Sequence, residues 1–335
     1  MSTHTFAWSH GRAEVVTTAG MLSRCEFLLG DDLFSPFAQA SWAPDDHPQL
    51  PGHLRVLGAE FVCLPFGEGG AVSRPAEGWK TIGELAPNAP GHGRSADAEW
   101  DVVEEHSGGI TLRLEYPEPH DIASIERRID GIPGVAGLSL SLTITARRPI
   151  RTSLGLHPIL RLPPDPRSLQ IDAGFGFGMT YPADIVAGST RAERGAVFAE
   201  LSAVPLERTE GEATDDFSSL PFDAPTEEVV QLCGVTRPIV VHYLNEGASL
   251  TIEWDRDLLP SAQLWISDRA LEGSPWNRTY RGLGVEPIAS AFDLAEGASV
   301  RPNPINARGV ATAVDLMPGL PLRTEYRMVA SASIK

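Results

Sequence analysis

Strict alternation of apolar and polar residues constrains this chain most. From Val135 to Ala146, Leu138, Leu140, Leu142 and Ile144 alternate with Ser139, Ser141, Thr143 and Thr145. Successive side chains of an extended strand point to opposite faces. A strand with one apolar and one polar face therefore belongs to an antiparallel sheet that is packed on one side and wet on the other. Weaker versions of the pattern predict strands at Ala13–Thr18, Leu22–Leu29, Ile110–Tyr116, Ile122–Ile129, Ile239–Leu244, Leu250–Trp254, Gln263–Ser267 and Arg323–Val329. Turn signals separate them, among them Gly30-Asp31-Asp32, Ser107-Gly108-Gly109, Asp130-Gly131 and Glu246-Gly247. The helical period is scarce, with Gly188–Leu201 the one candidate for a short helix, and Glu207–Asp223 reads as a long acidic loop. No repeat of 20–50 residues and no linker-like break in composition divides the chain. The expected fold class is all-β, with residues 1–335 forming a single domain of packed antiparallel sheets.

The chain has 335 residues, 42% of them hydrophobic, which is ample for a core. Its formal charge of −17 repels phosphate backbones and anionic lipid, so neither nucleic acid nor a membrane is expected as a partner. Cys25, Cys63 and Cys233 are far apart in sequence and lie in apolar runs, which reads as buried free thiols. The first twenty residues lack the apolar stretch of a secretory signal, and no run approaches about 18 apolar residues. A cytoplasmic location is the expectation.

Two strand ends carry candidate chemistry. In Arg151-Thr-Ser-Leu-Gly-Leu-His-Pro158, alternation turns Leu154 and Leu156 to the core and puts Ser153, Gly155 and His157 on the other face. An imidazole beside a glycine and before a proline stop is displayed to a cavity, and its ordinary pKa of about 6.5 suits proton transfer. In Arg281-Gly-Leu-Gly-Val-Glu-Pro287, Leu283 and Val285 point inward, leaving Gly284 and Glu286 opposite. A carboxylate among apolar residues can be raised by burial into the range of a useful base. His92 lies in a loop of small residues, Ala89-Pro-Gly-His-Gly-Arg94, where a ligand can approach the backbone. Arg55 can fork two hydrogen bonds to hydroxyls or a carboxylate. Asp215 and Asp216 sit in the acidic loop, and Trp265 and Trp276 are candidate stacking platforms. There is no GxxxxGK[ST], no GxGxxG opening a helix, no HExxH and no GxSxG. His92, His157 and His242 lack the close spacing of metal ligands, and neither a metal nor a cofactor is expected.

In order along the chain, these segments resemble the aldose 1-epimerase (galactose mutarotase-like) superfamily. His92-Gly93 followed by Trp100 resembles its first His-Gly element, Leu154-Gly-Leu-His157-Pro158 its second histidine, and Gly284-Val-Glu286-Pro287 its catalytic glutamate. Pro318-Gly319 is similar to its terminal turn, and Arg55 through Pro65-Phe-Gly67 to an element of its hexose-6-phosphate branch. That branch places its arginine two positions later than Arg94, which disfavours a phosphate pocket. The resemblance implies a β-supersandwich with few short helices, acting on a small-molecule sugar as a monomer or homodimer. It also implies interconversion of α and β anomers by acid–base ring opening. Glu286 would be the base and His157 the acid, with His92, Arg55, Asp216 or Asp215, Trp265 and Arg94 binding substrate. Three other readings stay open: a hexose-6-phosphate 1-epimerase, a non-catalytic carbohydrate-binding sandwich, and a glycosidase or lyase. A glycosidase needs a second carboxylate, for which Asp268 is the candidate.

Overall fold

The computed structural model describes residues 1–68, 75–79, 90–207, 213–294 and 296–332. The alternating segment becomes the strand Gly137–Ala146, with its leucines and Ile144 buried and its serines and threonines half-buried on the reverse face. It lies inside a nine-stranded antiparallel sheet. The order is Ser219–Leu220, Leu169–Asp172, Ile239–Tyr243, Ala248–Trp254, Leu322–Ala332, Gly137–Ala146, Ile122–Gly131, Gly109–Glu115 and Asp101–His106. A second, eight-stranded sheet runs Val197–Phe198, Phe175–Thr180, Thr226–Val235, Ser261–Asp268, Arg281–Ala289, Leu154–Leu156 and Val62–Cys63, and Ile159–Arg161 also pairs with Arg281–Ala289. Four N-terminal strands between Thr3 and Phe34 make a smaller sheet.

The two large sheets share a hydrophobic core. Leu138, Leu140, Leu142 and Ile144 of one meet the inner-face residues Leu154, Leu156, Leu264, Leu283 and Val285 of the other. Each such side chain contributes about 1.5–3 kcal/mol on leaving water. The outer face of the eight-stranded sheet is also covered, by separate clusters around Phe61, Phe66 and Tyr280 and around Trp79, Val229 and Phe292. Burial on both faces erases alternation, which is why Thr226–Val235, whose residues are nearly all buried, escaped the sequence pattern. A buried ion pair between Arg127 and Glu60 ties the nine-stranded sheet to the segment leading into Val62–Cys63, and Arg127 also donates to the Gly20 carbonyl at 2.7 Å.

Helix among the described residues is confined to single turns, including Gly52–Arg55, Gly93–Asp97 and Glu296–Ser299. Gly188–Leu201 is not helical. Gly188 and Gly195 take φ of 80° and 66°, which interrupts a right-handed helix, and Val197–Phe198 joins the sheet instead. The acidic loop is part structured, with Thr214–Asp215 and Ser219–Leu220 forming short strands, while residues 208–212 of it lie outside the described residues. The three cysteines are buried and free. No helix among the described residues is long and apolar enough to cross a membrane.

Candidate active site

Strand register assembles the site. Leu154 pairs with Ala289, Gly155 with Ile288, and, past the break at Pro158, Ile159 with Gly284. Carried through that break, the register sets His157 opposite Glu286. On its other side Glu286 pairs with Gln263. Directly paired residues share a face, so imidazole, carboxyl and amide stand in one row on the outer face of the sheet. Phe61 extends the row: its carbonyl accepts the His157 N–H at 2.9 Å, and its ring stacks on the imidazole with centroids 4.5 Å apart.

His157 Nε2 lies 3.5 Å from Glu286 Oε1, and both side chains are almost fully buried. Gln263 Nε2 donates to Glu286 Oε2 at 2.9 Å. Glu286 Oε1 and His157 Nδ1 have no hydrogen-bond partner among the described residues. Burial pushes the Glu286 carboxyl well above the ordinary carboxylate range, helped by nearby Asp293, and pushes His157 well below the histidine range. Both shifts favour the uncharged form of each group. Gly284 makes this packing possible, since a Cβ there would lie 2.1 Å from Glu286 Oε1 and 3.1 Å from the Trp265 Cβ.

The row opens into a cavity of about 250 Å³. Four carboxyl groups line it (Glu68, Glu227, Glu286 and Asp293), together with His53, His92, His157, Gln263, Trp265 and Trp276. His92 takes a left-handed backbone, φ 55°, before the turn Gly93–Asp97. It lies 3.3 Å from Glu68 Oε1, which also accepts from His53 Nε2 at 3.0 Å. Burial would raise Glu68, but His92 and His53 overcome it and hold the carboxyl down to about 2, while burial lowers His92 to about 4. Glu227 accepts from the Trp265 indole N–H at 2.6 Å, yet burial still lifts it to about 7. Burial likewise lifts Asp293 to about 6. Trp265 stacks on Tyr280 with centroids 5.8 Å apart and meets Trp276 edge-on at 6.2 Å.

Of the residues singled out from sequence, the cavity gathers His157, Glu286, His92, Trp265 and Trp276. It does not gather the others. Arg55 ends the turn Gly52–Arg55 and is not among the lining residues, although His53 of that turn is. Arg94 is exposed on the turn after His92. Asp215 is held away by ion pairs to Arg167 and Arg191 at 3.1 and 3.0 Å. Asp216 accepts from the Ser218 N–H at 2.8 Å, closing its own loop. Asp268 is clamped by Arg269 and Arg281, each at 2.8 Å, and does not line the cavity. His242 belongs to the other large sheet, opposite Gln170 and Ser249. Sequence reasoning missed His53, Glu68, Glu227, Gln263 and Asp293. A signal existed for one of them, since two adjacent glutamates open the apolar run Thr226–Val235 and a strand can send only one of the pair to each face.

No protein-family model and no curated protein matches the sequence. Solved structures do match over nearly the whole chain. A protein of Escherichia coli K12, provisionally named an aldose 1-epimerase, superposes with a TM-score of 0.66 at 15% identity over 99% of both chains. An aldose epimerase homologue from C. elegans gives 0.64 at 12% over 99% of both. A galactose mutarotase-like protein from Lactobacillus casei gives 0.57 at 13%, over 98% of this chain and all of that one. Likeness at these identities establishes architecture, and the architecture of this chain is the galactose mutarotase-like fold.

Proposed function

We propose that the protein is an aldose 1-epimerase acting on a free monosaccharide. The observation that carries this reading is the in-register pair His157–Glu286, 3.5 Å apart at the wall of a small cavity, each pushed by burial toward its uncharged form. Anomer exchange requires one group to give a proton and another to take one at two oxygens bonded to the same carbon. With the proton resting on Glu286, its carboxyl protonates the ring oxygen while His157 takes the proton of the anomeric hydroxyl. The ring C–O bond breaks and a carbonyl forms. The carbonyl turns, the hydroxyl closes on its other face, and the protons return, leaving the pair as it began. Glu286 is thus the acid and His157 the base on opening, the reverse of the roles implied by resemblance, and they exchange on closure. Gln263, bonded to Glu286 Oε2, fixes the carboxyl and leaves Oε1 toward the substrate. Each proton transfer contributes about 10²–10⁴-fold.

The cavity supports a free sugar over a sugar phosphate. No lysine or arginine is among its described lining residues, and a phosphate there would face carboxyl groups. Its volume of about 250 Å³ lies just under the roughly 300–1,000 Å³ of pockets for drug-sized ligands, which favours one sugar ring. The test is anomer-resolved NMR on a panel of free and phosphorylated sugars. Wild-type protein should speed exchange of at least one free sugar, and Glu286→Gln should lower that rate by about 10²–10⁴-fold with its melting transition kept. An unchanged exchange rate over the whole panel overturns the reading, and acceleration of phosphorylated sugars alone moves it to the hexose-6-phosphate enzyme.

A further inference from the structure

We infer that the preferred ligand of this cavity carries a positive charge, and specifically that it is a sugar bearing a protonated amino group, held by Glu68. The inference rests on the sugar-epimerase reading and narrows its substrate class.

Acidic groups dominate the described wall of the cavity. Four carboxyl groups line the cavity, and no lysine or arginine is among the described residues doing so. Glu286 and Glu227 are 0% and 2% exposed, whereas the Glu68 side chain is 48% exposed and so open to contact. Glu68 is ionised at any ordinary pH, and Asp293, near 6, is ionised at neutrality. His92, near 4, is neutral there, and His157 lies well below its ordinary value. Among the described lining residues acidic groups thus exceed basic ones, and a ligand that brings the compensating cation is favoured there. The chain's overall charge of −17 steers cations toward it and anions away. The indoles of Trp265 and Trp276 add faces that attract an ammonium group.

A metal ion is the competing cation, because donor atoms of His53, Glu68 and His92 lie within 4.8 Å of one another. The hydrogen bonding runs against it. The Gly67 N–H donates to His92 Nδ1 at 3.4 Å, so the ring proton sits on Nε2 and points at Glu68. His53 Nε2 likewise faces Glu68 Oε1. A ligating histidine does the reverse, presenting a lone pair to the metal and donating through its other nitrogen. The cluster is therefore built as a carboxylate held by two donors, with its charge left for an organic cation.

The experiment is isothermal titration calorimetry at neutral pH with glucosamine, galactosamine and mannosamine, each beside its parent hexose and its N-acetyl form. At least one amino sugar should bind about tenfold more tightly than both neutral counterparts, the scale of one charged hydrogen bond. The preference should shrink as salt is raised, disappear in Glu68→Gln, and persist in Glu68→Asp, which keeps the charge. Equal or tighter binding of the parent hexoses across the panel overturns the inference, as does a preference that survives in Glu68→Gln. Affinity that is lost with EDTA and restored by zinc overturns it in favour of a metal centre. NMR exchange on the same panel separates the two readings. Amino-sugar preference without anomer exchange removes the epimerase and keeps the charge assignment, while hexose exchange without preference does the opposite.

Discussion

Glu286 and Glu227 are both raised by burial, with different consequences because of what faces them. Glu286 faces an imbalanced pair of neutral partners, His157 and Gln263, whereas Glu227 meets the Trp265 indole, with Glu228 and Tyr280 nearby. Glu227 sits at about 7, against 4.5 in the unfolded chain. Between those values the folded protein binds the extra proton, so its contribution is fully present below about 4.5 and is lost as pH rises through about 7. Glu228, also near 7, adds in the same sense. We expect the melting temperature to fall from pH 5 to pH 8, and Glu227→Gln to flatten that slope by on the order of 2–3 kcal/mol, read by thermal scans across the range. A slope unchanged in the variant contradicts the assignment. Gly284→Ala should keep the fold while pushing the Glu286 carboxyl aside, because the new Cβ falls 2.1 Å from Oε1. A displacement near 1 Å costs about 10²-fold in rate, measurable as slowed anomer exchange. At this scale the sequence revealed His157 and Glu286, since each ends a run whose apolar members mark the opposite face. His53, Glu68 and Asp293 were illegible because loops and turns bring them to the cavity, and no period predicts where a loop side chain will point.

Strands of the two large sheets differ in how openly they declare themselves. Those of the nine-stranded sheet alternate, as in Gly137–Ala146, because their outer face stays partly wet. Those of the eight-stranded sheet are covered on both sides, and Ser261–Asp268 and Arg281–Ala289 are buried almost throughout. There alternation survives only as apolar against functional residues. Arg55, Arg94, Asp215 and Asp216 show the opposite failure: their types suit sugar binding, but Arg94 is exposed, Asp215 is ion-paired, Asp216 closes its own loop and Arg55 is not among the lining residues. Within Leu154–Leu156, Gly155 backs the site, and a Cβ there would meet the Phe66 ring at 2.2 Å. Phe66 is fully buried and packs against His92, with centroids 5.1 Å apart. Gly155→Ala should therefore destabilise by about 1–3 kcal/mol in urea titration and slow exchange as well. A change under 0.5 kcal/mol, about the size of an ordinary surface substitution, would show that the ring relaxes freely.

For the molecule as a whole, the buried pair Arg127–Glu60 is a charged tie set among largely hydrocarbon contacts, beside neutral ones such as the Tyr243 hydroxyl donating to the Arg161 carbonyl. Arg127→Leu should cost about 3–5 kcal/mol by stranding the Glu60 charge, and Arg127→Leu with Glu60→Leu should recover most of it. Equilibrium denaturation checks both, and a double variant no better than the single one would place the loss in packing. The arrangement of the site in Arg281–Ala289 has a further consequence. Odd positions of that strand, Leu283 and Val285, serve the core between the sheets, and even ones, Gly284 and Glu286, serve the chemistry. Inserting or deleting one residue before Gly284 would trade the two sets at a stroke, driving a carboxyl into hydrocarbon and leucine into the cavity. Length in this strand is thus under stricter constraint than identity at most of its positions, and natural variation there should come as substitutions, never as single-residue gaps.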